Sequence, residues 1–299
     1  MVAPRALVTG RSGFTGRYVA SALESAGYAV FGLSDAEAGT EANSLCIDLL
    51  DRTAVHSAVR DVRPDVVIHL AAVSFVAHDD IEQMYRVNIL GTRNLLEALC
   101  EAPHQPQKTV LASSANVYGD TPGEPADEDR EAAPRNDYAV SKLAMEHMAR
   151  LWSNRLAIVV ARPFNYIGAG QSLQFLVPKI VDHFRRGASE IALGNIDVVR
   201  DFSDVRDIAR LYVQLVQHAP AGTTFNLCSG SVCSLRDVLA LMQDIGGYRI
   251  NVRVDSAFVR DNEVVRLAGD HTSLARLLGT YPQTPLASTL RWMYESAAG

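Results

Sequence analysis

Apolar residues keep two rhythms through the first half of the chain. Short runs with apolar residues at consecutive positions stand at 5–9 (RALVT), 29–33 (AVFGL), 66–70 (VVIHL), 108–112 (KTVLA) and 156–160 (LAIVV). Runs of this length and aliphatic content fit strands covered on both faces. Between them apolar positions recur at helical spacing. FTGRYVASALESAG, ending at Gly27, predicts an amphipathic helix, and others are expected near 52–60, over 81–101 and from Asp137 to about Asn154. A further strand is expected just before Asp48. Strands alternating with helices predict parallel pairing through right-handed crossovers, which gives an α/β fold built on a doubly wound sheet.

Beyond Arg162 the rhythm changes. Residues 174–187 and 204–218 predict helices, and TTFNLC at 223–228 and YRINVRV at 248–254 predict strands. SLRDVLALMQDIGG predicts a helix capped by Ser234, and two shorter helices are expected at 272–278 and 286–296. The change divides the chain into a sheet-forming part, 1–163, to which some later segments return, and a smaller C-terminal α/β lobe, 164–299. TPGEPADEDREAAP at 121–134 is acidic and proline-bearing, and reads as a surface loop that either borders a site or serves as a solvated connector.

Composition narrows the class of protein. With 48% hydrophobic and 21% charged residues over 299 positions, the chain has the makeup of a soluble globular protein and excludes global disorder. The net charge of −6 argues against nucleic acid or an anionic membrane surface as a partner, but not against a small anion held by a few arginines. No apolar run reaches the ~18 residues of a membrane span. The opening MVAPRALVTG runs straight into a strand pattern instead of a signal peptide, so a cytoplasmic location is expected. Cys46, Cys100, Cys228 and Cys233 lack metal or redox spacing and read as small buried hydrophobes. The histidines form no HExxH, and no metal is expected.

The first strand runs into Gly10-Arg11-Ser12-Gly13-Phe14-Thr15-Gly16, a G-x-x-G-x-x-G loop that opens the first helix. Gly10 lets the chain turn off the strand, Gly13 keeps side chains away from a pyrophosphate, and Gly16 lets the helix pack close to the sheet. The helix N-terminus then offers N–H groups to phosphates, which points to a dinucleotide in a Rossmann-type fold. The residue that reads the adenosine ribose should close the second strand, which here ends Leu33-Ser34-Asp35. Asp35 facing the ribose favours NAD(H). Ser34 in that place leaves room for a 2′-phosphate, which Arg11 can pair with, and favours NADP(H). The balance leans to NADP(H). Asp48, in CIDLLD, is placed to accept from an adenine amino group or to cap a helix.

Tyr138-Ala-Val-Ser-Lys142 puts a phenol and an ammonium four residues apart on one helix face. A nearby ammonium stabilises a phenolate and draws its pKa down from about 10. Ser114, in Ser113-Ser114-Ala115-Asn116-Val117-Tyr118-Gly119, follows the preceding strand at the carboxyl edge of the sheet, where such folds bind ligands.

Together these motifs resemble the extended short-chain dehydrogenases/reductases. TGRSGFTG, CIDLLD, HLAAVS, VNILGT, SSANVYG, YAVSK, RPFN, VRDFSDVRDI and NLCSG carry the resemblance over nearly the whole chain. It implies a dinucleotide-binding domain over 1–163 and a substrate-binding lobe over 164–299. It also implies a catalytic set of Ser114, Tyr138 and Lys142, with Lys142 also holding the nicotinamide ribose. Leu49, Ala71, Ala72 and Pro163 are implied to line the cofactor pocket, with Asn88 as a support that orders water and the central helix. Ser74 and Asn116 join the substrate site. A homodimer through the helices near 81–101 and 137–154 is implied as well.

The loop after Ser114 selects among the family's reactions. Its 4,6-dehydratases need a titrating acid and base where this chain has Ala115 and Asn116, which leaves hydride chemistry at one carbonyl. SSANVYG by itself resembles the UDP-sugar 4-epimerases. RPFNYIGAGQS, GNIDVVRDFSDVRDI and TTFNLCSGSVCSLRDVL are similar to segments of GDP-6-deoxy-4-keto-D-mannose reductases, which form GDP-D-rhamnose. Tyr166 stands where those reductases often carry His and Ala169 where they carry Pro. Their RPxE segment reads Arg260-Asp261-Asn262-Glu263 here. The expected activity is therefore NADPH-dependent reduction of a GDP-linked 4-keto-6-deoxyhexose, with a 4-epimerase holding NAD as the rival. Arg200 and Arg260 are candidates for the substrate diphosphate, Glu263 for ribose hydroxyls or a base edge, and Asn165 for a phosphate or sugar oxygen. Arg206 and Arg210 read as a solvated helix face, Asp204 and Asp207 as capping and bracing residues, and Trp152 and Phe184 as core.

Overall fold

A computed structural model describes residues 2–34, 43–74, 80–255, 263–281 and 283–296. The first half runs β1 (Arg5–Thr9), α1 (Phe14–Ser25), β2 (Ala29–Ser34), β3 (Ser44–Cys46), α2 (Arg52–Val62), β4 (Val66–His69), α3 (Ile81–Tyr85), α4 (Thr92–Glu101), β5 (Lys108–Ala112), α5 (Asp137–Arg150) and β6 (Ile158–Pro163). A π-helical stretch, Arg86–Gly91, joins α3 to α4, and a 3-10 turn, Ala115–Tyr118, follows β5. The second half runs β7 (Asn165–Ile167), α6 (Leu176–Arg185), β8 (Glu190–Leu193), β9 (Val199–Asp204), α7 (Val205–His218), β10 (Thr224–Leu227), β11 (Val232–Ser234), α8 (Leu235–Gly246), β12 (Asn251–Val254), β13 (Arg266–Leu267), α9 (Thr272–Leu278) and α10 (Leu286–Glu295).

The main sheet has seven strands in the order β10-β6-β5-β4-β1-β2-β3, all parallel to their neighbours. Strand alternation sends Ala6 and Val8 to one face, against α1 and α7, and Leu7 to the other, against α2, α4 and α5. The strand order reverses between β1 and β4, so the loops after β1, β4, β5 and β6 gather at one carboxyl edge. The smaller lobe packs α6, α8 and α10 around Phe184, Leu239, Met242 and Leu290, with β11-β9-β13 and the β12-β8 pair at its side. α7 and β10 belong to the main sheet although they follow residue 163 in the chain.

Several expectations shift. The helix over 81–101 is interrupted by the π stretch, and the helix from Asp137 ends at Arg150. The strand expected at 156–160 starts at Ile158 and continues to Pro163, because pairing with Thr224–Leu227 of β10 extends it. The helix expected from 204 starts at Val205, with Asp204 as its cap. The strand expected at 248–254 starts at Asn251.

The 121–134 segment is neither loose nor merely solvated. Thr121 and Ala126 are fully buried, with Thr121 N–H donating to the Arg266 carbonyl and Ala126 N–H to that of Ala268. Cys100 and Cys228 are buried as expected, but Cys46 is exposed on β3. Phe184 sits in the lobe core, and Trp152 packs half-buried against the main core with Arg155 over its ring. Among the described residues no helix is long and apolar enough to cross a membrane.

Candidate active site

One cleft of about 1290 Å³ follows the carboxyl edge of the sheet and continues against the smaller lobe. Its floor is the glycine loop. Gly10 has φ +71°, which only glycine adopts without strain. A Cβ on Gly16 would stand 2.0 Å from the Gly10 carbonyl oxygen, so this glycine is required by the fold of the loop itself more than by the sheet. Gly13 caps α1 without a side-chain hydrogen bond, and the first turn carries no acidic residue. The helix N-terminus is therefore open to an anion. Gly10, Ser12, Gly13, Phe14, Thr15 and Gly16 all line the cleft.

Ser34 closes β2 with its hydroxyl oxygen accepting from Ser12 Oγ at 2.9 Å. It lines the cleft, whereas Asp35 lies outside the described residues. Arg11 does not join them. Its side chain turns beneath Gly32, donates to Ser44 Oγ at 3.0 Å and pairs with Glu24. Asp48 and Leu49 line the cleft. Asp48 Oδ1 accepts from Leu50 N–H, while the cap of α2 is Asp51, so the capping alternative for Asp48 fails. Ala71, Ala72, Ser74 and Pro163 line the cleft as well.

Asn88 stands behind them. Its Oδ1 accepts from Val73 N–H at 2.9 Å, and its Nδ2 donates to the Val73 carbonyl and to Ser141 Oγ. It thus ties the 71–74 segment to α5. His69 is buried below, with Nδ1 2.6 Å from Thr9 Oγ1 and Nε2 2.8 Å from Thr92 Oγ1. Thr92 spends its proton on the Asn88 carbonyl, so His69 Nε2 carries the hydrogen and Nδ1 accepts from Thr9. Burial, with the Lys142 charge adding to it, pushes this imidazole down to about 3, and it stays neutral.

Ser114, Tyr138 and Lys142 meet at the centre of the cleft. Ser114 Oγ accepts from both the N–H and the Nδ2 of Asn116, which leaves its own proton to offer into the cleft on the side of Tyr138. Burial pushes the Tyr138 phenol well above its usual value. Tyr166 adds to that, and Ser114 opposes it. Lys142 Nζ lies 6.0 Å from the Tyr138 ring centroid and donates to the Ala112 carbonyl at 2.8 Å. The expected lowering of the phenol by Lys142 is therefore not in force in this arrangement. Lys142 itself is lowered to about 8 by burial, partly offset by Glu146.

Toward the smaller lobe, Asn165, Arg200 and Glu263 line the cleft, and Arg260 lies outside the described residues. Arg200 donates to the carbonyls of Val199, Val264 and Val265, bracing the segment that carries Glu263. Asn195 Nδ2 donates to Glu263 Oε2 at 2.9 Å. Asn165 Oδ1 and Gln171 Oε1 are buried acceptors without a hydrogen-bond partner, and their residues line the cleft. They suit a ligand rich in hydroxyl or amide donors.

Sequence reasoning missed Asn195, Gln171 and the Phe175–Lys179 segment. Only their position after the RPFN motif could have signalled them. Asp204 caps α7 and pairs with Arg206, whose guanidinium lies 3.8 Å from the Trp292 ring centroid, so Arg206 is packed rather than merely solvated. Asp207 accepts from Thr284 and Arg210.

The chain belongs to the NAD dependent epimerase/dehydratase family, whose model matches residues 6–228, and is an extended short-chain dehydrogenase/reductase. It is 32% identical to GDP-6-deoxy-D-talose 4-dehydrogenase of Aggregatibacter actinomycetemcomitans, over 97% of both chains. It is 34% identical to GDP-6-deoxy-D-mannose reductase of Pseudomonas aeruginosa, over 96% of this chain and 95% of that one. Among solved structures, RMD from Pseudomonas aeruginosa complexed with NADPH superposes with a TM-score of 0.85 at 33% identity, covering 98% of this chain and 96% of that one. A structure from Burkholderia cenocepacia J2315, described only provisionally as an epimerase, has a TM-score of 0.92 at 51% identity over 97% of both chains.

Proposed function

We propose that the protein is an NADPH-dependent nucleotide-sugar 4-ketoreductase that reduces a GDP-linked 4-keto-6-deoxyhexose. The observation that carries this reading is the convergence of Ser114, Tyr138 and Lys142 in the cleft beside Ala115 and Asn116, where elimination would need a titrating pair. The names of the two GDP-sugar relatives support the substrate class. They concern alcohols that differ in configuration at C4, which suits one shared ketone. Ser34 at the end of β2, which lines the cleft and accepts from Ser12, supports NADP(H), as does the NADPH in the RMD complex. With Arg11 committed to Ser44 and Glu24, a 2′-phosphate would rest on Ser12 and Ser34. NAD(H) is the weaker fit.

The open α1 N-terminus and the glycine loop would hold the pyrophosphate, and Lys142 the nicotinamide ribose. A bound dihydronicotinamide supplies hydride to a carbonyl carbon. Tyr138, neutral at working pH, gives its proton to the oxygen that becomes the C4 hydroxyl. Ser114 donates to the same oxygen as charge develops on it. Lys142, charged, would steady the phenolate left behind by turning to it from the Ala112 carbonyl. Asn165 and Gln171 offer acceptors to sugar hydroxyls, and Glu263 to ribose hydroxyls or the base edge.

The test is NADPH oxidation with freshly made GDP-4-keto-6-deoxymannose, the product's C4 configuration being read from its H3–H4 coupling. Tyr138→Phe is expected to lose about 10²-fold or more in turnover while still binding NADPH. Unchanged turnover would reject the role of Tyr138. The provisional description of the Burkholderia structure favours a second reading, a 4-epimerase. Purified protein that carries NAD and interconverts two sugars without added reductant would establish it. Exposed apolar residues on α3, α5 and the π stretch support a homodimer, and a cytoplasmic location fits the reductive chemistry.

A further inference from the structure

Tyr138, Lys142 and Glu146 stand one turn apart on α5 and share a face, and all three are buried. Each meets the same short piece of chain at the end of β5. Tyr138 faces Ser114 across the cleft, Lys142 donates to the Ala112 carbonyl at 2.8 Å, and Ser113 Oγ donates to Glu146 Oε1 at 2.5 Å. Glu146, unlike Tyr138 and Lys142, does not line the cleft. Arg162 on β6 grips its carboxylate twice, Nε to Oε1 at 2.9 Å and Nη2 to Oε2 at 2.7 Å. Nη1 of Arg162 serves the Tyr118 hydroxyl and the Glu128 carbonyl. Every nitrogen of the guanidinium and both carboxylate oxygens have a partner, and the pair is nearly inaccessible to water.

A buried ion pair is a weak source of net stability, since apolar side chains of similar volume serve as well. Its position suggests another use. Lys142 is one of only three lysines, with Lys108 and Lys179, in a chain that carries 25 arginines. The ionisable groups that share its cleft or its buried network are Tyr138 and Glu146 on α5, His69 on β4, Arg162 on β6, Tyr166 on β7, Tyr212 on α7 and Tyr118 on the 3-10 turn. His69 is neutral, and burial raises Tyr118, Tyr138, Tyr166 and Tyr212. Of these groups Glu146 is the one whose charge holds the Lys142 ammonium up against burial.

We infer that Glu146 is a positioning residue for the Tyr138–Lys142 pair. Its carboxylate, locked by Arg162 and Ser113, fixes the height of α5 on β5 and is the counter-charge of the Lys142 ammonium. This rests on the reading of Tyr138 and Lys142 as the proton-transfer pair, and the test separates the two. With lysine labelled by ¹³C at Cε, the protein shows three signals, and the one missing in Lys142→Arg belongs to Lys142. Titrated without substrate, Glu146→Gln is expected to lower the Lys142 midpoint by about one unit. Ser113→Ala removes a hydrogen bond but no charge and should leave the midpoint in place.

In turnover, the alkaline limb of kcat should move down by the same interval in Glu146→Gln, with KM for the sugar unchanged, and Glu146→Asp should restore most of the limb. An unmoved Lys142 midpoint in Glu146→Gln overturns the inference, whatever the turnover. A lowered midpoint in a protein that reduces no sugar upholds the counter-charge and counts against the catalytic reading alone. If Glu146→Gln fails to fold because Arg162 is left unpaired, the Lys142 midpoint of Glu146→Gln/Arg162→Gln is compared with that of Arg162→Gln, from which it differs only in the Glu146 charge, and equal midpoints overturn the inference.

Discussion

Lys142 carries its charge at a cost to the fold. Burial takes it from 10.5 to about 8, so the folded chain holds this proton less tightly than the unfolded chain does. Below about pH 8 both states are protonated and the folded state bears the whole penalty, roughly 3 kcal/mol. Between about 8 and 10.5 the folded protein sheds the proton first, and stability rises with pH until the penalty is gone. Lys142→Met removes the charge and keeps an unbranched stem. The Ala112 carbonyl loses its donor, which returns about 1 kcal/mol. The variant is therefore expected to be more stable than the parent by about 2 kcal/mol at pH 7, with little or none of that gain near pH 10. Its turnover should fall by orders of magnitude. Urea unfolding at the two pH values checks this, and equal stability at pH 7 would remove the burial penalty from the account.

Elements here do more than carry residues to the cleft. The π stretch Arg86–Gly91 swings Asn88 inward, where it bonds both backbone groups of Val73 and reaches Ser141 on α5. Thr92, His69 and Thr9 continue the chain of bonds to Ala71 N–H. The 71–74 segment is thereby held where it lines the cleft. Asn88→Ala leaves Val73 N–H and C=O without these partners and should cost about 1–3 kcal/mol. It should also weaken NADPH binding more than it weakens binding of GDP alone. Calorimetric titration with each ligand checks this, and an unchanged NADPH affinity would mean the segment is held by other contacts.

The sequence signals only part of such an element. Periodicity over 81–101 reads as one helix, because six residues of wider turn do not disturb an apolar pattern enough to be seen. The glycine loop and the Tyr138–Lys142 spacing are legible because their chemistry is local. β7, β8, β9, β11 and β13 are not, since strands of two to six residues are defined by partners far along the chain, as β9 is by β7, β11 and β13. Glu146 and Arg162 escape for the opposite reason. Each looks like an ordinary surface charge in its own segment, and only the packing of α5 on β6 makes them a buried pair.

At the scale of the whole molecule, α5 is used on both sides. Its inner face presents Tyr138, Lys142 and Glu146, while Val140, two positions from Tyr138, points away and is 39% exposed. Leu90 on the π stretch is 48% exposed and Ile81 at the start of α3 is 47% exposed. α3 and the π stretch pack directly on α5, so these residues belong to one side of the fold. A second copy of the chain seated there would cover the apolar residues and back the catalytic helix from outside. A stable pairing needs about 800 Å² from each partner, which two neighbouring helices can supply. The protein is therefore expected to sediment at twice the 32.5 kDa of one chain. Leu90→Glu/Val140→Glu should sediment as a monomer, with a lower Tm and a lower kcat, because α5 loses its outer support while the cleft residues stay in place. NADPH affinity should change less than kcat, since the glycine loop is carried by β1 and α1 rather than by α5. Sedimentation velocity and turnover on the same samples decide the matter. A parent protein that is monomeric at tens of micromolar, or a monomeric variant with full kcat, would detach the exposed residues from catalysis and leave Glu146 and Arg162 as the support of α5.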